Sequence, residues 1–120
     1  MKNILELENK CFFYGTLTPK KIQEILYRSR TLVSTSVIEG MGLVRLEAFS
    51  SGCCVVTTNT GGTHLFSSLK NKGLFVSKSD PLDIADKMYR SLSRKYWTRE
   101  QVQSRMSIIQ KFNPSKISER

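Results

Sequence analysis

Apolar residues along this chain form short runs, and the runs alternate with segments that have helical spacing. Residues 31–34 and 53–58 are β-rich runs, and they predict two buried strands. Between them, the apolar positions of residues 43–49 recur close to helical spacing. Glycine turns stand at residues 40–42 and 59–62. The pattern predicts one βαβ unit whose first turn lies at the carboxyl end of the first strand.

Further elements flank this unit in the prediction. Residues 11–14 and 74–76 are predicted strands. Thr18-Pro19 and Asp80-Pro81 each have the pattern of a helix N-cap followed by proline at the first helical position. The helix after Asp80 carries an apolar stripe that we expect to face the core. The stripe consists of Leu82, Ala85, Met88, Tyr89 and Leu92.

The C-terminal stretch, residues 93–110, is predicted to be a helix with Thr98 as a cap. Val102, Met106 and Ile109 have helical spacing there, so we expect them to pack inward. A further short helix is predicted over residues 63–70.

Four strands that alternate with helices favour an α/β fold. We expect a parallel, Rossmann-like sheet of about four strands with flanking helices and right-handed crossovers. Ligands of such sheets bind outside the carboxyl ends of the strands. Gly15 and the two glycine turns at residues 39–42 and 59–62 are therefore expected at one edge of the sheet.

The net charge indicates which kinds of partner the chain attracts. The chain has 120 residues, enough for one domain, and a net charge of +9. Such an excess attracts phosphates, nucleic acid or an anionic membrane surface, although a solvated surface explains it equally. The basic, aromatic stretch over residues 93–111 is the candidate for a membrane contact. No recognition motif is present, so we expect no specific nucleic acid partner.

The three cysteines have no metal-ligand spacing. Cys53 and Cys54 are adjacent in a predicted strand, so their side chains are expected on opposite faces of the sheet. Reduced, buried thiols favour a cytoplasmic protein. No apolar run of about 18 residues is present, and the first ten residues have no apolar core of a signal peptide. The expected location is cytoplasmic, including the periphery of the membrane's cytoplasmic face.

The turn before the central helix carries the candidate chemistry. A helix that begins after Gly40 and Gly42 leaves its first N–H groups uncovered, and these suit a diphosphate. Glu39 and Glu47 stand on either side of this turn. A carboxylate repels phosphate, but it accepts paired hydrogen bonds from a diol. This combination favours a nucleotide-sugar site. The alternative is a helix N-terminus with two unrelated glutamates.

These residues resemble a known family. Residues 39–48, EGMGLVRLEA, are similar to the E-x7-E segment of glycosyltransferase family 4, retaining enzymes of the GT-B fold. Further similarities follow in the order that the family has them. They are FFYG at residues 12–15, ILYRS at 25–29, GCCVV at 52–56, TGG at 60–62, GLFV at 73–76, DPLDIA at 80–85 and KFN at 111–113.

The resemblance implies site residues. It implies Glu39 as the catalytic-site carboxylate that contacts hydroxyls of the donor sugar, and Glu47 as the ligand of the ribose diol. It further implies that backbone amides near the glycine turn hold the sugar and diphosphate and that the loop after the first strand lies near the base. The donor-binding residues are thus Gly40, Met41, Gly42, Leu43, Glu47, Gly15 and Thr16, with Gly61, Gly62 and His64 as further candidates. His64-Leu65 stands where the family usually has Pro-Glu, and a cysteine replaces a proline near residue 53.

The resemblance covers part of a GT-B enzyme. Residues 11–120 correspond to the C-terminal, nucleotide-sugar-binding domain, incomplete at its N-terminal side, and residues 1–10 form a lead-in. Two strands of that domain and the acceptor-binding domain have no counterpart, so we expect the strand at residues 11–14 to pair with residues 31–34 or to be displaced. The chain is then a fragment, a split subunit or a remnant.

The resemblance also implies an activity. The expected donor is a UDP- or GDP-sugar. A hexosyl unit would pass to a lipid, glycan or other acceptor that a missing domain or a partner holds. No cofactor and no metal are expected. The alternatives are a non-catalytic, degenerate or split subunit and a basic nucleic-acid-binding domain.

Overall fold

A computed structural model describes residues 9–35 and 43–112 of the chain. Within these residues there are four α-helices and three strands. In chain order they are α1 (Pro19–Tyr27), β1 (Thr31–Ser34), α2 (Leu43–Ser50), β2 (Cys54–Thr58), β3 (Leu74–Ser77), α3 (Pro81–Arg90) and α4 (Arg99–Met106). Short 3-10 helices occupy Thr63–Leu69, Arg94–Tyr96 and Ser107–Phe112.

Three helices begin at the residues that the sequence predicts. The side chain of Thr18 accepts a hydrogen bond from the Lys21 amide at 3.3 Å, and α1 follows. Asp80 accepts from the amide of Leu82 at 3.0 Å at the start of α3. Thr98 accepts from the amide of Gln101 at 3.2 Å at the start of α4. Each side chain satisfies an amide that the helix itself leaves without a partner.

The strands form one parallel sheet in the order β1-β2-β3. In its register, Val33 pairs with Val56, and Val56 pairs with Phe75. Helices connect the strands, because parallel neighbours need a crossover. The predicted α/β fold with a parallel sheet and flanking helices is confirmed.

The predicted strand at residues 11–14 is wrong. These residues lie outside the sheet, so the sheet of the described residues has three strands. Phe12, Phe13 and Tyr14 are exposed, with Phe13 at 83%. Residues 11–14 do not pair with β1. They are displaced from the sheet, which was the alternative expectation. An aromatic run favours a strand only when a neighbouring strand and a packing surface are available.

The core lies on one face of the sheet, under α1 and α2. It is formed by Leu26, Ala48, Phe49, Cys53, Val55, Phe66, Leu69, Leu74 and Ile108. Phe49 and Phe66 pack ring against ring at 5.3 Å between centroids. The core side of α2 agrees with the predicted helical spacing at Leu46, Ala48 and Phe49, whereas Leu43 is 64% exposed.

The two adjacent cysteines point to opposite faces, as predicted. The Cys53 thiol donates to the carbonyl of Leu26 at 3.2 Å, on the core side. The Cys54 thiol donates to the carbonyl of Ser91 at 3.7 Å, just after α3. Burial raises the pKa of both thiols, to about 11 for Cys54. The helix α3 therefore packs on the face opposite the core.

The prediction that the apolar stripe of α3 faces the core is wrong. Leu82 is 81% exposed and Tyr89 80% exposed, and no residue of α3 is buried. Asp83 explains this orientation, because its carboxylate accepts hydrogen bonds from the Ser77 hydroxyl at 2.7 Å and the Lys78 amide at 2.9 Å. Contacts of the helix start with the end of β3 thus fix a rotation that leaves the stripe at the surface.

The C-terminal stretch is not one helix. The indole N–H of Trp97 donates to the Ser91 carbonyl at 2.9 Å, and α4 begins two residues later. Arg105 and Ile108 are the buried residues here, whereas Met106 and Ile109 are exposed. The predicted inward face is therefore wrong at Met106 and Ile109, whereas Val102 is half-buried and lies beside Gly52.

Arg105 binds the turns at the amino edge of the sheet. Its Nε donates to the carbonyl of Gly52 at 3.0 Å, before β2, and its Nη1 donates to the carbonyl of Lys72 at 3.1 Å, before β3. The guanidinium lies 4.7 Å from the Trp97 ring centroid. A Cβ at Gly73 would lie 2.6 Å from Arg105 Cδ, so this position requires glycine. The amino edge is thereby closed by packing.

Candidate functional site at the carboxyl edge of the sheet

The carboxyl edge is where the polar candidate residues meet. β1 ends at Ser34, β2 at Thr58 and β3 at Ser77. The second glycine turn follows β2 at this edge, and α2 begins at Leu43. The predicted residues Glu39, Gly40, Met41 and Gly42 lie outside the described residues, so their predicted roles stay predictions.

Arg45 crosses from α2 to the turn after β2. It is fully buried. Its Nη1 donates to the hydroxyls of Thr63 at 2.6 Å, Thr57 at 3.3 Å and Thr60 at 3.4 Å. Its Nη2 donates to the Gly61 carbonyl at 2.8 Å. One side chain thus ties the first turn of α2 to the end of β2 and to the turn that follows.

The turn itself is closed by its own hydrogen bonds. The Thr60 amide donates to the Thr63 hydroxyl at 3.2 Å, and the Thr63 amide donates to the Thr60 carbonyl at 3.1 Å. Gly62 has a φ of 85°, a left-handed conformation that favours glycine. The turn is therefore held from within by threonine and from below by Arg45.

The positive charge of Arg45 has no counterion among the described residues. Its described partners are hydroxyls and one carbonyl, and the guanidinium lies 5.5 Å from the Phe66 ring centroid. Arg45 Nε is buried and has no hydrogen-bond partner among those residues. A buried cation without an acid makes its surroundings attractive to an anion.

The remaining predicted residues fall around this network. Glu47 is exposed on α2, two residues after Arg45. Leu43, the first residue of α2, is 64% exposed. His64 is exposed at the start of the 3-10 helix after the turn. The structure thus brings Leu43, Gly61 and Gly62 to the same edge as Arg45.

Gly15 lies beside the first turn of α2. It has a φ of 67° and lines a groove of about 390 Å³ with Leu32 of β1 and Val44 of α2. Thr16, the next residue, is exposed. The groove is otherwise lined by apolar side chains, including those of Phe12, Phe13 and Tyr14.

Asp83 stabilises the end of β3 at the same edge. The hydrogen bonds from the Ser77 hydroxyl, the Lys87 ammonium and the Lys78 amide hold the pKa of its carboxyl well below the usual range. The carboxylate therefore stays ionised, and its bonds fix the strand end against α3.

Comparison with known proteins identifies the family. A family model described as "Glycosyl transferases group 1" matches residues 1–110 of the chain. The chain belongs to this family of glycosyl transferases. The predicted resemblance to glycosyltransferases of the GT-B fold is thereby confirmed, and the parallel three-stranded sheet is consistent with a partial GT-B C-terminal domain.

One curated relative matches part of the chain. The D-inositol 3-phosphate glycosyltransferase of Corynebacterium jeikeium (strain K411) is 40% identical over 73 residues, which are 58% of this chain and 17% of the relative. The chain therefore spans about a sixth of the length of that relative.

Two further findings concern the described part of this glycosyl transferase chain. Over residues 9–35 and 43–112, no group of three or more His, Cys, Asp or Glu side chains could hold a metal ion. None of the helices in those ranges has the length and apolar character needed to cross a bilayer.

The sequence reasoning missed the arginine and threonine network of the glycosyl transferase chain. Two signals in the sequence could have indicated it. Arg45 is a charged residue between Val44 and Leu46, and the stretch TTNTGGT at residues 57–63 repeats a hydroxyl around the glycine turn. A buried guanidinium needs several acceptors, and a cluster of threonines supplies them.

Proposed function

We propose that this chain binds the nucleotide-diphosphate sugar donor of a retaining glycosyl transferase at the carboxyl edge of its sheet. The donor is a UDP- or GDP-sugar. The hexosyl unit passes to a lipid, glycan or other acceptor that a further domain or a partner chain holds. Family membership supports the transferase class, and the finer assignments are the proposal.

The Arg45 network is the observation that carries the proposal. A buried guanidinium without a described counterion lies below a glycine turn, at the edge where parallel sheets bind ligands. The start of α2 adds the positive end of a helix dipole at the same edge. The diphosphate is the part of the donor that needs this positive potential.

The chemistry that follows is electrostatic. When the bond from the sugar to the diphosphate breaks, negative charge develops on the departing phosphate oxygen. Fixed dipoles and cations near that oxygen stabilise the transition state because they need no reorganisation. In this proposal the amides of Gly40, Met41, Gly42 and Leu43 supply donors, and Glu39 contacts the sugar hydroxyls as the catalytic-site carboxylate.

Glu47 has a separate role in the proposal. Its carboxylate is exposed on α2 and can accept paired hydrogen bonds from the ribose diol. Gly15 and Thr16 are assigned to the base, and Gly61, Gly62 and His64 to the far side of the sugar-phosphate. The roles of Gly61 and Gly62 rest on their place at the same edge as Arg45.

Calorimetric titration with UDP, GDP and their sugars tests donor binding. We expect Glu47→Gln, which keeps the size but removes the charge, to weaken nucleotide binding by about 1 kcal/mol, the difference between hydrogen bonds to a charged acceptor and to a neutral one. Glu100→Gln is the matched control, because Glu100 is also exposed on a helix and lies far along the chain in α4. Equal affinity of parent and Glu47→Gln for every nucleotide would remove Glu47 from the site.

The exposed aromatic residues favour a second candidate, a non-catalytic or split subunit. Phe12, Phe13 and Tyr14 are exposed and line the groove at β1, an apolar surface of the kind that a companion chain covers. This candidate predicts nucleotide binding without sugar transfer by the chain alone, and transfer only after a companion chain is added. Release of labelled nucleotide from a donor sugar, with and without that companion, separates the two.

The relative suggests one acceptor to include in such assays. The name of that relative specifies D-inositol 3-phosphate. We propose an inositol phosphate as the first acceptor to be offered, next to lipid and glycan acceptors. A cytoplasmic location is part of the proposal, since all three cysteines are free thiols and two of them, Cys53 and Cys54, are buried.

A further inference from the structure

The helix α3 exposes an apolar face that the rest of the described chain does not cover. Leu82, Ala85, Tyr89 and Leu92 are three, four and three residues apart, so they lie on one side of the helix. All four are exposed, and Leu82 and Tyr89 are about four fifths exposed. Exposed apolar residues in one continuous stripe mark a contact surface more often than scattered ones do.

Positive charge accumulates at the C-terminal end of this stripe. The 13 residues from Lys87 to Arg99 contain five lysines and arginines and no acid. Arg90 is paired with Asp86 at 2.9 Å, and Lys87 with Asp83 at 3.0 Å. The other three, Arg94, Lys95 and Arg99, are exposed and form no ion pair with a described residue.

A groove joins the apolar stripe to the charges. It has a volume of about 560 Å³, and it is lined by Tyr89, Arg90, Leu92, Ser93, Lys95 and Tyr96. The Tyr96 ring packs edge-on against Phe75 at 5.1 Å, which anchors the groove to β3. Tyrosine, leucine and basic side chains therefore share one rigid surface on the side of the sheet opposite the core.

We propose that this surface, the α3 face (Leu82, Ala85, Tyr89, Leu92, Arg94 and Lys95), docks the chain on a bilayer that contains anionic phospholipids. Charge complementarity decides the occupant. Basic residues beside exposed leucine and tyrosine are typical of elements that lie in the headgroup region. The whole chain carries +9, so an anionic surface also attracts it at long range.

The α3 face and the carboxyl edge use different residues. The inference therefore goes beyond donor binding and does not depend on it. Docking through this face would hold the carboxyl edge at a fixed orientation to the membrane, where a lipid-linked acceptor would be supplied. The substituted side chains are exposed, so the variants below are expected to fold.

Vesicle sedimentation with the full chain tests the inference. Sucrose-loaded vesicles of phosphatidylcholine alone are compared with vesicles that contain one quarter phosphatidylglycerol, each at low and high salt. We expect binding to the anionic vesicles only, weaker at high salt. The double variant Arg94→Gln/Lys95→Gln removes two cations and should bind about 25-fold more weakly, about fivefold for each.

A matched pair of variants separates local docking from net charge. Lys20→Gln/Lys21→Gln removes two neighbouring cations from α1, on the core side of the sheet, and should bind within about twofold of the parent. Tyr89→Ser/Leu92→Ser should bind about tenfold or more weakly, at about 25 cal/mol per Å² of apolar surface removed from contact, while the salt dependence is kept.

Three results would overturn the inference. The first is failure of the parent to bind anionic vesicles. The second is equal weakening by Lys20→Gln/Lys21→Gln and by Arg94→Gln/Lys95→Gln, since net charge alone would then explain binding. The third is a concentration-dependent dimer in analytical ultracentrifugation that Tyr89→Ser/Leu92→Ser dissociates, because the α3 face would then be covered by a second copy. Nucleotide titration of each variant shows independently whether the proposed donor site is intact.

Discussion

Two fully buried arginines hold opposite ends of the same sheet. Arg105 lies at the amino edge and donates to two backbone carbonyls, those of Gly52 and Lys72. Arg45 lies at the carboxyl edge and donates mainly to threonine hydroxyls. Neither has an acidic partner among the described residues.

The partners make the difference between the two arginines. Carbonyls are fixed by the backbone, and Arg105 is further enclosed by Trp97 and by the missing Cβ of Gly73. Burial lowers the pKa of Arg105 because its charged form loses water. Hydroxyls can rotate and both accept and donate. Arg45 therefore holds a turn that can still adapt to a ligand, whereas Arg105 closes an edge permanently.

Replacing Arg105 should have the largest effect on stability. Arg105→Met removes two hydrogen bonds from a charged donor and leaves the buried Gly52 carbonyl without that donor. We expect a loss of about 3 kcal/mol in the free energy of unfolding. Urea denaturation followed by circular dichroism measures it.

Arg99→Met on the same helix is the control for Arg105→Met, because Arg99 is exposed and should change stability by less than about 0.5 kcal/mol. Similar losses for the two variants would contradict the assignment of Arg105 as the residue that closes the amino edge.

Replacing Arg45 should affect stability less and binding more. Arg45→Met removes four hydrogen bonds, but the buried hydroxyls of Thr57 and Thr63 each keep another hydrogen bond, and the exposed Gly61 carbonyl can bind water. We expect about 2 kcal/mol of lost stability and about tenfold weaker nucleotide binding. Arg105→Met should leave the nucleotide affinity of the folded protein unchanged. The nucleotide affinities of the two variants therefore distinguish a ligand-binding arginine from a purely structural one.

A loss of stability in Arg45→Met with unchanged nucleotide affinity would contradict the different roles assigned to the two arginines. In that case both arginines would be structural, and the carboxyl edge would hold no diphosphate near Arg45. Calorimetry at a temperature where both variants are folded distinguishes these outcomes.

The smallest expected effect is a loss of stability at high pH that comes from the Cys54 thiol, at the amino end of β2. Burial raises the pKa of Cys54 to about 11 in the folded state, above the usual value of a thiol. The unfolded state therefore ionises first as the pH rises. Stability from this thiol is complete below the unfolded pKa and is lost as the pH rises towards about 11.

We expect a decrease of about 1 kcal/mol in the free energy of unfolding between pH 8 and pH 10 from Cys54. The comparison is with Cys54→Ala, whose stability should fall less over the same range. Parallel pH profiles for the two proteins would show that the thiol is not shielded from water in the folded state.

Local signals in the sequence predicted much of the fold. Thr18, Asp80 and Thr98 were predicted as helix caps, and each cap side chain accepts the expected amide. Caps depend on a few neighbouring residues, so the sequence alone carries them. The strands β1, β2 and β3 follow from short apolar runs between turn residues for the same reason.

Features that depend on partners far along the chain were not predicted. The run at residues 11–14 has strand character but no strand to pair with. The stripe of α3 has core character, but Asp83 and the end of β3 fix the helix with that stripe outward. Arg45 and Arg105 were not assigned to the interior, because their acceptors lie 12 or more positions away along the chain.

The chain's own sequence determined the order of elements, the parallel sheet and the family, because these follow from local spacing and from motifs read in order. The tertiary structure decided that the apolar stripe of α3 lies at the surface and that a buried arginine lies at each edge of the sheet. Burial of a charge requires several acceptors converging from separate segments, and only the folded chain brings Thr57, Thr60, Gly61 and Thr63 around Arg45.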